Sequence, residues 1–302
     1  MSASEKDFRG VYVAAVTPMT QDTEIDFNML GKFIDGLIND GVHGIIPLGS
    51  TGEFYALTPE EREDVLKATL EAVDNRVPVL AGTNAGSTSD VIAYSKQAEK
   101  LGADGLLLAA PYYSLPTDDE LYEHFKAVND AVGIPIMLYN YPGRTGVDLV
   151  PDFVERLADL NNVKYIKEST GDITRVSEII KRLGDRIKVF CGADLIPLDS
   201  FVLGAVGWVG GIANVLPKSH VKLYDLAVVK GDIPAAREFF YEIFYALQLI
   251  ENCGKYTQFV KAGCQVMGNP VGPPRMPLGP VTKEDYAKLE EILKTISSEG
   301  VK

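Results

Sequence analysis

The chain has 302 residues, 46% hydrophobic and 24% charged, enough to bury a large core in one big α/β domain or two smaller ones. Its formal net charge is −13, which argues against a surface built for nucleic acid or an anionic membrane. Three cysteines, Cys191, Cys253 and Cys264, lack CxxC spacing and cannot all pair, so they read as reduced thiols of a cytoplasmic protein. The N-terminus is polar, and no apolar run reaches membrane-spanning length, so a soluble protein is expected.

In chain order, near-continuously apolar runs occur at 11–19, 44–49, 78–83, 105–111, 134–142, 165–169, 187–193 and 207–214. Continuity rather than alternation is what parallel strands covered on both faces require. Between them lie segments of helical periodicity, two with a capping box at their start, Thr58-Pro59-Glu60-Glu61 and Thr117-Asp118-Asp119-Glu120. Eight strand–helix units predict a (β/α)8 TIM barrel over residues 1–216, with a doubly wound sheet as the alternative. From Pro217 the pattern is helical, at 219–229, 233–253 and 256–267. A turn-rich stretch at 269–280 follows, then a last helix at 283–296. Residues 217–302 are therefore expected as a C-terminal helical extension packed on the barrel rather than an independent domain.

In such a barrel, chemistry belongs to the C-terminal ends of the strands. The sixth run carries Lys167, whose amine becomes a nucleophile towards carbonyl carbon if burial lowers its pKa. The plainer reading is a strand-end lysine with its ammonium in water. The second run ends in Gly49-Ser50-Thr51-Gly52-Glu53, a tight turn whose amides and hydroxyls can hold a carboxylate, or a simple capped turn. The fifth ends in Tyr139, followed by Arg144 in a glycine-flanked loop. The phenol can exchange protons and the guanidinium can fork onto a carboxylate, unless the one is core and the other surface. The fourth ends in Tyr112-Tyr113, a packing or interface pair. His43, His124 and His220 are scattered without ligand spacing, so no metal is expected.

Taken together, Gly49-Ser-Thr-Gly-Glu53, Tyr139 with Arg144-Thr-Gly146, Lys167-Glu168 and Val271-Gly-Pro-Pro-Arg275 resemble the dihydrodipicolinate synthase / N-acetylneuraminate lyase family over residues 10–296. The resemblance implies class I, metal- and cofactor-independent chemistry on a (β/α)8 barrel, through a Schiff base between Lys167 and a 2-oxo acid, usually pyruvate. It implies Tyr139 as general acid/base, and Ser50 and Thr51 as holders of the 2-oxo acid carboxylate. Thr51 also links Tyr139 to Tyr113 in a proton relay, and Gly192 and Val209 line the pocket. The position of Tyr113 usually reaches a neighbouring subunit's site, which implies a homo-oligomer, dimer or tetramer.

Within the family, Arg144 matches the branch whose arginine binds the carboxylate of aspartate semialdehyde, so pyruvate and that aldehyde are the expected substrates. Ser50, Tyr141 and Gln258-Phe259-Val260-Lys261 depart from that branch. They keep open a catabolic 2-keto-3-deoxy sugar acid aldolase or dehydratase, or a pyrroline-4-hydroxy-2-carboxylate deaminase. A barrel that only binds a 2-oxo acid, and a phosphate site at residues 207–211, are further alternatives. Phe54, Pro59 and Gly86 replace residues of the regulated enzymes' lysine pocket, so L-lysine is expected to inhibit weakly or not at all. Inhibition at sub-millimolar lysine in a turnover assay contradicts this.

Overall fold

The structure, a computed structural model, describes residues 7–298. Eight parallel strands run β1 Gly10–Ala14, β2 Gly44–Ile46, β3 Leu80–Gly82, β4 Gly105–Ala109, β5 Ile136–Asn140, β6 Val163–Glu168, β7 Lys188–Cys191 and β8 Gly207–Gly210. They pair in the order β2-β1-β8-β7-β6-β5-β4-β3. The two ends of this sheet meet through a parallel bridge, Ile45 to Val79, and bonds from the Ile45 amide to the Pro78 carbonyl and from the Gly82 amide to the Pro47 carbonyl, both 3.0 Å. That contact closes the sheet into a barrel, so the doubly wound alternative is set aside.

Two apolar layers account for the continuous runs. Side chains facing inward, among them Tyr12, Ile46, Leu107, Met137 and Phe190, fill the barrel interior. Alternate residues such as Val11, Ile45, Leu108, Leu138 and Ile166 face the helices, as a period of two demands. Phe8 plugs the interior from the N-terminal side, stacked on Tyr165 at 4.9 Å. Some runs extend beyond their strands for a local reason. After Ala14 the backbone leaves the ladder, where the Val16 amide bonds Asn214 Oδ1 at 3.0 Å and the Met19 amide bonds the Val271 carbonyl at 2.9 Å.

Both capping boxes form: Thr58 and Glu61 exchange bonds of 3.2 and 2.8 Å, and Thr117 and Glu120 bonds of 3.4 and 2.8 Å. After the barrel come helices Pro217–Tyr224, Ile233–Asn252, Tyr256–Val266 and Lys283–Ser298. The helix expected at 219–229 is α-helical only to Tyr224, and continues as a wider turn, Asp225–Val229, in which the Lys230 amide bonds the Asp225 carbonyl at 2.8 Å. No helix among the described residues is long and apolar enough to cross a membrane.

His220 joins the two parts. It is fully buried, stacked on Trp208 at 3.8 Å, and donates through Nδ1 to the Leu216 carbonyl at 2.7 Å, leaving Nε2 without a partner. Burial lowers its pKa to about 3, and that of His124 to about 4. Each ring is neutral in the fold but charges in the unfolded chain near pH 6.5. The stability they contribute is complete above pH 6.5 and is lost as pH falls toward the folded values. The expected slope is about 1.4 kcal/mol per pH unit for each ring. Denaturation followed from pH 7 to 4.5 should show a declining stability whose slope is shallower in His220→Gln. An unchanged slope contradicts this assignment.

Candidate active site

Strand register assembles the site. In the β5–β6 ladder Tyr139 lies opposite Lys167, and in the β6–β7 ladder Lys167 lies opposite Phe190. Lys167 and Tyr139 therefore point into the barrel mouth from adjacent strands. Lys167 Nζ sits 4.3 Å from the centre of the Tyr139 ring, and the two residues are 6% and 8% exposed. A lysine amine held this far from water and against an aromatic face is rare outside functional sites. Glu168, one residue on, must face the other way. It is buried among Asn140 Nδ2 at 3.0 Å and the Thr170 amide at 2.7 Å. Asn140 also donates to Asp148 at 3.1 Å, which pairs with Arg175 at 2.6 Å. This network outside the barrel ties the ends of β5 and β6 together and so fixes the spacing of Tyr139 and Lys167.

Gly192 follows β7, and its missing side chain is what admits the lysine. A Cβ there would lie 2.0 Å from Ser169 Oγ and 2.6 Å from Lys167 Cγ. Gly207 in β8 and Gly211 just after it have similar causes. A Cβ at Gly207 would overlap the Phe190 ring at 2.3 Å, and one at Gly211 the Tyr256 ring at 2.6 Å. Packing accounts for them without a phosphate.

The cleft above Lys167 is narrow, with a free volume of about 30 Å³, and is lined by Ser50, Thr51, Tyr139, Tyr141, Arg144, Lys167, Ser169, Gly192, Gly211, Glu251 and Tyr256. It opens into a wider vestibule of about 350 Å³, walled by Phe54, Tyr55, Asn84, Ala109 and Tyr112 and sharing Tyr139 and Arg144 with the inner chamber. Ser50, Thr51, Tyr139, Arg144, Lys167 and Gly192 thus come together. Val209 does not reach this wall, being packed in the barrel interior with Phe190. Tyr113 is 97% exposed, with a left-handed φ of 76°, and lines no part of its own chain's cleft. Arg144 stands on the short helix Pro142–Thr145, its guanidinium 5.6 Å from the centre of the Tyr141 ring, and Tyr141 stacks on Tyr139.

The loop bearing Ser50 and Thr51 is locked from behind. Glu53 adopts a left-handed φ of 58° and is wholly buried. Its carboxylate meets Lys261 Nζ at 2.5 Å and the Arg275 amide at 2.7 Å. Lys261 also donates to the Pro273 carbonyl at 3.0 Å. Burial pulls the Lys261 ammonium below its usual range, against the opposing pull of Glu53. Arg275 grips Glu61 with two bonds of 2.7 and 2.9 Å and the carbonyls of Thr23 and Ala56. The Val271–Arg275 segment, a motif in sequence, is here the clasp between the C-terminal helices and the loop after β2.

Three residues were invisible to motif reading: Glu251 and Tyr256, which line the cleft, and Asp194, which bonds Tyr256. Asp194 follows β7 and is buried, accepting from Trp208 Nε1 at 2.8 Å and from the Tyr256 hydroxyl. Burial raises its pKa to about 6, despite Tyr256, Lys167 and Trp208. Glu251 closes the cleft from the end of helix Ile233–Asn252. Burial first, then the Asp194 carboxylate, raise its pKa to about 8, with Lys167 and Arg144 opposing. An acidic residue at a strand end could have drawn attention to Asp194. Glu251 and Tyr256 lie on helices, whose sequence says nothing of the barrel mouth.

A model of the Dihydrodipicolinate synthetase family matches residues 7–296. The chain belongs to this family. It is 41% identical over 292 residues to the 4-hydroxy-tetrahydrodipicolinate synthase of Thermodesulfovibrio yellowstonii, covering 95% of this chain and 98% of that one. Among solved structures, the dihydrodipicolinate synthase of Aquifex aeolicus superposes with a TM-score of 0.91 at 36% identity, covering 96% of this chain and 98% of the other. That of Acinetobacter baumannii, solved with pyruvate, gives 0.90 at 34%, over 96% and 99%. The chain is an enzyme of the lyase class on a TIM barrel.

Proposed function

We propose that the chain condenses pyruvate with aspartate semialdehyde, as a 4-hydroxy-tetrahydrodipicolinate synthase, through an imine on Lys167 and with no added cofactor. The observation that carries this reading is the buried contact of Lys167 with Tyr139 at 4.3 Å, in a cleft that also holds Arg144. Ser50 and Thr51 take the pyruvate carboxylate. The Lys167 amine attacks C2, and water leaves with protons passed through Tyr139. The resulting iminium withdraws electrons, so C3 loses a proton and becomes a nucleophilic enamine. C3 then joins the aldehyde carbon while the aldehyde oxygen takes a proton, and Arg144 holds the co-substrate carboxylate.

The exposed Tyr113 suits a second copy of the chain better than solvent. In this reading a homo-oligomer, dimer or tetramer, brings the phenol to the Thr51 of a neighbour and completes the proton relay. Nothing in the reading requires a membrane or nucleic acid, and the net charge of −13 fits work in the cytoplasm. Residues 1–216 act as the barrel and 217–302 as the extension that supplies Glu251 and Tyr256 to the cleft.

A second reading, a 2-keto-3-deoxy sugar acid aldolase or dehydratase, or a pyrroline-4-hydroxy-2-carboxylate deaminase, is favoured by Glu251 in the cleft wall, since polyhydroxylated substrates need added acceptors. Purified protein given pyruvate and aspartate semialdehyde, with product coupled to dihydrodipicolinate reductase, separates the two. Rapid turnover supports the synthase. No turnover by protein that still forms an imine with pyruvate moves the function to the second reading.

A further inference from the structure

Three ionisable side chains share the inner cleft without bonding one another: Lys167 from β6, Arg144 from the loop after β5 and Glu251 from the end of helix Ile233–Asn252. In the proposed reaction Lys167 is consumed by the 2-oxo acid and Arg144 by a carboxylate. Glu251 is left over. It is half-buried, and among the described residues it takes part in no hydrogen bond or ion pair. Asp194, the other carboxylate here, is already held by Trp208 and Tyr256. An unpartnered carboxylate facing this cleft is free to accept a donor from the ligand.

Resting on the synthase reading, we propose that Glu251 binds the ammonium group of the amino-aldehyde co-substrate and takes its proton, freeing the amine to displace Lys167 from C2. Once C3 is joined to the aldehyde carbon, the new chain is still an iminium on Lys167 and carries an ammonium at its far end. An ammonium has no lone pair, so it cannot attack. Proton transfer to Glu251 gives a neutral amine and a carboxylic acid. The amine nitrogen then forms a bond to C2, closing the ring and making a carbon with two nitrogens. A proton moves from the ring nitrogen to the Lys167 nitrogen, the C2–Lys167 bond breaks, and the lysine leaves as a free amine. The ring keeps a C2=N bond, and no oxidant or further reactant is needed.

The surroundings suit the task. Arg144 and Glu251 face one cleft as a cation and a carboxyl group that ionises when an ammonium pairs with it, matching the carboxylate and ammonium of an α-amino acid. Lys167 from β6, Arg144 and Tyr141 from the β5 loop, Asp194 from the β7 loop, Cys253 just beyond the end of its own helix and Tyr256 from the following helix are the titratable groups around Glu251. A proton affinity raised to about 8 brings this carboxylate nearer to an amine than an ordinary glutamate, which favours transfer.

The test is a borohydride quench during turnover with pyruvate and aspartate semialdehyde, followed by peptide mass analysis, on wild type, Glu251→Gln and Glu251→Asp. In Glu251→Gln, kcat should fall by about 10²- to 10⁴-fold. The adduct trapped on Lys167 should change from pyruvate alone to the carbon–carbon-joined product. Glu251→Asp, which keeps a carboxylate, should recover part of the loss. Formation of the pyruvate adduct without aldehyde shows that the variants are folded. An unchanged kcat overturns the inference, as does a lowered kcat with only pyruvate trapped, which would place Glu251 before bond formation. A wild type that traps pyruvate but never turns over overturns the synthase reading and the inference with it, and is recognised because the failure precedes any mutation.

Discussion

Lys167→Ala should lower turnover by on the order of 10⁴-fold or more, while leaving the melting temperature close to that of the parent. Among the described residues no other amine lines the cleft, so none of them can replace the nucleophile there. Lys167→Arg should be equally inactive, because a guanidinium stays protonated and cannot add to a carbonyl. Gly192→Ala tests the same geometry without touching the amine. Its Cβ would meet Ser169 Oγ at 2.0 Å and the Lys167 chain at 2.6 Å, closer than van der Waals contact allows, so Lys167 must shift. Steady-state kinetics with the reductase-coupled assay reads all three. A Lys167→Ala protein with more than a hundredth of parental activity would contradict the assignment.

The largest effect on stability is expected at the Glu53–Lys261 pair. Both side chains are at most 1% exposed and 2.5 Å apart, so removing either strands the other's charge in the interior. Glu53→Gln and Lys261→Met should each destabilise the fold by about 3–5 kcal/mol in chemical denaturation. The double variant should lose less than the sum, since it leaves no unpaired charge. Because Glu53 anchors the loop that carries Ser50 and Thr51, the single variants should also bind pyruvate more weakly. Losses below about 1 kcal/mol for both would mean that the buried contact contributes no more than a surface pair.

These two sites also mark how far the sequence could be read. The eight apolar runs were legible because parallel strands need apolar residues on both faces, and the capping boxes because their side-chain chemistry is local. Lys167, Tyr139 and Arg144 stood out as candidates because polar groups at or just past the ends of such runs face the barrel mouth, although each also had a plainer structural reading. Other features depend on distance in the chain. Glu53 and Lys261 are 208 positions apart, and no local pattern announces their contact. The conformation of Glu53, left-handed at φ 58°, likewise follows from the clasp rather than from its neighbours. Glu251 looks like any polar residue near the end of an amphipathic helix, and only the docking of that helix over the barrel mouth brings it to the cleft. Tyr113 is the converse case, since its sequence neighbourhood suggested a contact surface and one chain alone leaves it in solvent.

The central claim is that a 2-oxo acid becomes covalently bound to Lys167. The most direct measurement is reduction of the protein with borohydride in the presence of pyruvate, followed by peptide mapping. The account predicts a single reduced pyruvate adduct on the peptide containing Lys167, absent from Lys167→Ala. An adduct on a different lysine, or no adduct at saturating pyruvate, would contradict it.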